Sequence, residues 1–246
     1  MSDSESRTVL VTNATQYAGP GAVRVLSAAG HRVVCHDAGF VDDKALHDFE
    51  ALHPQAITLR RGDAQGLVAE LAERVGEVDA VVSNDVQPIT PAAIEDVSLA
   101  DVRRTFEAVF VFPYQLAQLL LPAMKARRTG CFVFVTSARP LRPEPGYSVP
   151  TSIRAGTTTF AQALAKEVAA FGIQVNVVAP NYLYSEMYYP RERFIDDEAG
   201  RREIAGIVPA GRLGTPEEVG ELIAFFASGR SPFVTGQVVY FTGGWP

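Results

Sequence analysis

Val11-Thr12-Asn13-Ala14-Thr15-Gln16-Tyr17-Ala18-Gly19-Pro20-Gly21 follows a short apolar run and precedes a segment of helical period. That is where a Rossmann-type fold carries its dinucleotide-binding loop, between the first strand and the first helix. Such a loop depends on glycines. The early one makes the tight turn, the middle one lets the backbone approach a pyrophosphate, and the last lets helix and strand pack closely. Asn13 and Tyr17 stand at the first two positions, and only Gly19 is kept. The stretch therefore predicts the fold, while the Tyr17 phenol projects into the space a diphosphate would need.

Outward from this loop, β-branched runs alternate with segments of helical period. Residues 8–12, 32–35, 56–59, 78–84, 131–137, 174–179 and 237–242 read as strands, several apolar on both faces as buried parallel strands must be. Residues 21–29, 45–52, 65–75, 99–126, 150–171 and 216–228 carry the helical pattern, and Gly30, Gly76, Gly130 and Gly172 stop four of them. The alternation predicts an α/β fold: a Rossmann-like, doubly wound, seven-stranded parallel sheet flanked by helices, one domain over residues 1–246. Its site is expected at the carboxyl ends of the strands. Residues 182–211, rich in aromatic and charged side chains, read as an irregular stretch, either a lid over the site or a variable surface loop.

Composition narrows the function classes. A chain of 246 residues with 47% hydrophobic residues can bury a full core. The net charge of −6 and the brevity of its basic run, Lys125-Ala126-Arg127-Arg128, argue against a nucleic-acid or anionic-membrane partner. No uninterrupted apolar stretch approaches the ~18 residues of a membrane span, and residues 1–7 are polar, so a cytoplasmic protein is expected. Cys35 and Cys131, each inside a strand-like run, read as buried reduced thiols.

Five segments carry a family resemblance. They are residues 12–19 in place of TGxxxGxG, Val82-Ser83-Asn84-Asp85 in place of the NNAG turn, and Ser137 at the end of the fifth strand. The others are Asn176-Val177-Val178-Ala179-Pro180-Asn181 in place of NxxxPG and the closing Phe241-Thr242-Gly243-Gly244. In this order and strand context the chain resembles the short-chain dehydrogenases/reductases over its whole length. The dehydrogenases of that superfamily follow the serine with a Tyr-x-x-x-Lys pair, and here Arg154 holds the lysine position. With the lost glycines, Tyr17 and Asp85, this resembles the halohydrin dehalogenases, the cofactor-free branch.

That resemblance implies interconversion of small apolar vicinal halohydrins and epoxides plus halide, with no NAD and no metal, in a homotetramer built through the two long helices. It implies that Ser137 fixes the substrate oxygen and that Arg154 supports the base. A guanidinium suits that task because it stays charged. Asp85 is expected to orient Arg154, or to form an ordinary structural ion pair. The implied halide site is the loop Pro180-Asn181-Tyr182-Leu183, whose last two amides face the ion, with Tyr17 as the opposite wall or merely a plug in the vestigial cleft. Asp37, at the end of the second strand, resembles the acidic residue that binds an adenosine ribose, and reads here as a fossil or surface cap.

One departure is serious. The family tyrosine is due thirteen residues after Ser137 and four before Arg154, and both counts give Pro150. Proline has no proton to exchange, although a first helical turn tolerates it, with Ser148 expected as the N-cap. Tyr147, just outside that helix, is the nearest replacement base. Tyr182, Tyr184 and Tyr188 are further phenols that sequence leaves unplaced. Two other readings stay open: an NAD(P)-dependent oxidoreductase, and a non-catalytic relative that binds a small ligand.

Overall fold

Residues 6–88 and 90–246 are described by a computed structural model. Among them seven strands form one parallel sheet: β1 Thr8–Val11, β2 Arg32–His36, β3 Ile57–Leu59, β4 Ala80–Ser83, β5 Gly130–Val135, β6 Ile173–Pro180 and β7 Val238–Phe241. Their order is β3-β2-β1-β4-β5-β6-β7. The chain winds outward from β1 to β3 and then crosses to β4, so a crevice opens at the carboxyl ends of β1 and β4, the usual ligand position of such sheets.

Alternation along each strand sorts the core into two layers. Val9 and Val11 face the side covered by α1 (Gly19–Ala28) and α8 (Pro216–Ala227), where Val23, Leu26, Val219 and Ile223 pack. Leu10, Phe132 and Phe134 face the other side, covered by α3 (Ala64–Arg74), α5 (Phe112–Arg127) and α6 (Ser148–Val168) through Leu67, Leu116, Met124 and Leu164. The helices α1 and α8 touch backbone to backbone: a Cβ on Gly21 would lie 1.8 Å from the Pro216 carbonyl oxygen. Between β2 and β3 lies α2 (Asp43–Leu52). Cys35 and Cys131 are buried free thiols, both pushed up by burial.

The expected helix over 99–126 is one helical run, Leu99–Arg127, but not a uniform one: α4 (Leu99–Phe106) passes through a π-helical turn, Glu107–Val111, into α5. Pro113 explains the irregularity. It cannot donate to the carbonyl four residues back, that of Val109. The Thr157 hydroxyl of α6 takes that carbonyl instead, at 2.9 Å. By length and composition alone this run could cross a membrane. Leu116, Leu120 and Met124 are nevertheless in the sheet-facing core.

Residues 182–211 are more regular than expected, because they contain α7 (Glu198–Ile207). Asp197 caps it by accepting from the Gly200 amide at 2.9 Å, and Ile204 and Val208 pack with Phe194 and Leu213 in a separate small cluster. The apolar positions of this helix lie among two arginines and two glutamates, with Arg191 and Arg193 just before it, and these charges hide the helical period in the sequence.

Candidate active site

The loop after β1 keeps glycine geometry without the glycines. Asn13 has φ 49° and Tyr17 φ 53°, left-handed values that glycine adopts freely and other residues adopt at a cost. Asn84 compensates for Asn13: its Nδ2 donates to the Asn13 and Gln16 carbonyls, both at 2.9 Å, and its amide donates to the Thr12 hydroxyl at 3.1 Å. Asp37 holds the other side. Its carboxylate accepts from the Thr15 amide (3.0 Å), the Thr15 hydroxyl (2.7 Å) and the Gly39 amide (2.8 Å). It is therefore not a surface cap but a buried latch on the loop. Gly19 remains because any Cβ there would lie 2.5 Å from the Asn13 carbonyl oxygen.

Tyr17 is buried, with its phenol 3.4 Å from the Pro180 carbonyl oxygen and its ring edge-on to Tyr188 at 5.6 Å. It forms one wall of a cavity of about 70 Å³ at the carboxyl ends of the strands. An apolar cavity of roughly 150 Å³ accommodates benzene, so the space suits only a small ligand. The cavity brings together Ser137, Tyr147, Pro150, Arg154, Asn181, Tyr182 and Leu183, which lie far apart in sequence. Pro180 and Asp85 are not among its lining residues. Pro180 ends β6, and its carbonyl also takes the Ala138 amide at 3.0 Å.

Each lining group is held by its element. Ser137 follows β5, and its Oγ accepts the Arg139 amide at 3.1 Å, which leaves its own proton free to donate. Arg154 lies in the second turn of α6 and is 7% exposed. Its Nη1 donates to the Val135 and Thr136 carbonyls at 3.0 and 3.2 Å, and its guanidinium carbon is 5.8 Å from the Tyr17 ring centroid. Among the described residues no protein acceptor takes its Nε or Nη2. Asp85 makes no ion pair with it. The Asp85 carboxylate accepts the Ser83 hydroxyl at 2.6 Å, and burial pushes its pKa up to about 6 against the opposing pull of Ser83, Thr12 and the Arg154 charge.

On the loop after β6, Tyr182 has φ 54°, and its ring packs on Trp245 at 5.6 Å and Tyr189 at 5.8 Å. Among the described residues, the Tyr182 and Leu183 amides have no protein acceptor, although the neighbouring Tyr184 amide donates to the Gly214 carbonyl at 2.9 Å.

Helix α6 begins two residues earlier than expected, at Ser148, and Ser148 does not cap it. Tyr147 occupies the cap position with no side-chain bond, and its carbonyl accepts the Thr151 amide at 3.0 Å. Pro150 therefore lies in the first turn, where its missing N–H costs nothing. The Tyr147 side chain faces the cavity with the Arg139 guanidinium stacked 3.8 Å from its ring centroid. Arg139 thus touches both Ser137 and Tyr147, a role that its place two residues after the serine did not signal. Burial pushes Tyr17, Tyr182 and Tyr189 above the ordinary phenol value, which holds all three in the protonated form and leaves them unavailable as bases.

Residues 18–246 match the family described as enoyl-(acyl carrier protein) reductase. The chain is 28% identical to the 3-oxoacyl-[acyl-carrier-protein] reductase FabG of Escherichia coli (strain K12) over 246 residues, covering 98% of this chain and 97% of the relative. In three dimensions it is similar to the halohydrin dehalogenase HheC bound to ethyl (2S)-oxiran-2-ylacetate, with TM-score 0.93 and 36% identity over 97% of each chain. A solved structure described as a dehalogenation enzyme aligns with TM-score 0.92 and 34% identity, covering 98% of this chain and 99% of that one.

Proposed function

The chain belongs to the short-chain dehydrogenase/reductase superfamily, and within it we propose a cofactor-independent lyase of the halohydrin dehalogenase type, acting on small vicinal halohydrins and epoxides. The observation that carries this reading is the loop after β1, in which Tyr17 keeps a glycine backbone and walls the cavity with its ring. The residues do not fit a nicotinamide dinucleotide. Tyr17 fills the close-approach position, Asp37 spends its carboxylate on the loop, and Pro150 and Arg154 stand where a reductase needs tyrosine and lysine.

In the proposed reaction the Ser137 hydroxyl donates to the substrate oxygen. Tyr147, its ring plane fixed by Arg139, serves as the base that takes the substrate hydroxyl proton. The alkoxide attacks the neighbouring carbon: a C–O bond forms, the carbon–halogen bond breaks, and its electron pair leaves with the halide. The free amides of Tyr182 and Leu183, beside Asn181 and opposite Tyr17, suit that ion, because backbone N–H groups bind an anion without a second full charge. The protein is read as a cytoplasmic homotetramer with no nucleic-acid or membrane partner.

Two other readings have support. The reductase relatives favour an NAD(P)-dependent oxidoreductase. Pro150, lining the cavity where the base is due, favours a non-catalytic binder of small ligands. Bromide release from a small bromohydrin separates the readings. Wild type should release bromide and Tyr147→Phe should lose at least a hundredfold in rate, while bromide still raises the melting temperature of both by mass action. Tyr17→Gly should lose the bromide effect. An inactive wild type that Pro150→Tyr rescues would mean that the base has been lost, and micromolar NADPH binding would replace the lyase with a reductase.

A further inference from the structure

The cavity is walled by two guanidinium groups, those of Arg139 and Arg154, and among the described residues by no carboxylate. Arg154 is buried and spends one nitrogen on carbonyl oxygens, and among the described residues its charge has no anionic partner at hydrogen-bond distance. Arg139 has one weak partner. Its Nη2 lies 3.8 Å from a Glu144 oxygen, at the outer limit of an ion pair, and the Glu144 side chain is 40% exposed. Inside the cavity the face of its guanidinium stacks against Tyr147. Among the described residues the edge, where all five N–H donors lie, has no acceptor nearer than that Glu144 oxygen at 3.8 Å.

Two cations facing one small cavity repel each other and lose hydration, a cost that Asp85, within electrostatic reach of Arg154, and Glu144 offset in part and an entering anion offsets further. Halide does so late, because in a halohydrin the halogen is still covalent and uncharged. A carboxylate on the substrate does so on binding, and the planar fork of an arginine matches a carboxylate with two parallel hydrogen bonds.

We propose that the substrate is itself an anion: a small vicinal halohydrin or epoxide carrying a carboxylate one or two carbons from the reacting centre, gripped by the free edge of Arg139 while Ser137 holds the reacting oxygen. The substrate class rests on the lyase reading above; the anion site does not. Arg139 is then a specificity-determining residue, its face orienting Tyr147 and its edge selecting the acid.

The test compares 4-bromo-3-hydroxybutanoate with its ethyl ester, reading bromide release, in wild type, Arg139→Gln and Arg139→Lys. Binding of oxiran-2-ylacetate is measured alongside by calorimetry in halide-free buffer. Wild type should favour the acid over the ester by about tenfold to a hundredfold in kcat/KM, the worth of a charge-assisted hydrogen-bond pair. Arg139→Gln should erase the preference, whatever it does to ester turnover, and Arg139→Lys should keep part of it. Equal turnover of acid and ester by wild type would overturn the anion site and leave the lyase reading standing. No bromide from either substrate, with oxiran-2-ylacetate bound by wild type and not by Arg139→Gln, would overturn the lyase reading and leave the anion site standing. Neither turnover nor binding would overturn both.

Discussion

At the scale of single residues, Tyr17 and Asn13 each hold a left-handed backbone that costs of order 1 kcal/mol or more. The Asn84 and Asp37 bonds that over-determine the loop are what keep them there. The two substitutions were plain in the sequence, because a glycine position is recognised by spacing. The use of Asp37 was not, because spacing does not say which donors a carboxylate will meet. Pro150 could be found by counting, whereas Arg139 could not, since its contacts with Ser137 and Tyr147 depend on how the turn after β5 folds back. Asp85 makes a prediction of its own. Its pKa rises from 3.8 in the unfolded chain to about 6 through burial, so between those values the native state holds more protons than the unfolded one. Its stabilising contribution is complete below about pH 4 and is lost as pH rises through about 6, amounting to about 3 kcal/mol. The stability of wild type relative to Asp85→Asn should therefore fall by that order between pH 4 and 7, as read from urea midpoints at each pH. Parallel curves for the two proteins would show that the carboxyl titrates normally.

At the scale of elements, the strands were legible because burial on both faces leaves unbroken apolar runs, and the central helices because glycine ends them. Helix α7 was not, since its few apolar positions sit among paired charges such as Arg193 with Glu203 and Arg202 with Glu198. The π-helical turn at Glu107–Val111 escaped for another reason: Pro113 announces a missing donor but not which group replaces it. The replacement comes from α6, so the bond from Thr157 to the Val109 carbonyl ties the long helix to the element that carries Pro150 and Arg154. Val109, Val149 and Ile153 pack around the junction. Thr157→Val keeps the side-chain shape and removes the hydroxyl, and with it the contacts to the buried Val109 and Ile153 carbonyls. It should cost about 1–3 kcal/mol in chemical denaturation, and Thr157→Ser much less. If valine is as stable as threonine, the Val109 carbonyl has another donor and the junction does not depend on this bond.

At the scale of the whole molecule, the two long helices carry more aromatic surface than the sheet covers. Phe106 stacks on Phe110 at 5.0 Å, Phe110 meets Phe160 at 5.9 Å, and Phe160 meets Tyr114 at 5.2 Å, a ridge running from α4 through the π turn to α5 and α6. Phe106 and Tyr114 remain 45% and 43% exposed, with Leu99 at 69%. Connected apolar surface of this kind marks a contact with another chain more often than free surface. A second copy is the partner proposed, because the ridge spans both helices through which the family resemblance implies a tetramer, and a two-fold axis would set it against itself. In light scattering the wild type should measure about 106 kDa, four times the 26.5 kDa chain. Tyr114→Asp places a charge in the ridge, where association would strip it of water, and should lower that mass towards the dimer or monomer without unfolding the chain, because the phenol is not part of either core layer. A wild type that measures 26.5 kDa across the micromolar range would mean that the ridge is ordinary monomer surface. An assembly unaffected by Tyr114→Asp would put the contact elsewhere, and the fully exposed Phe233 beyond α8 is the next position to change.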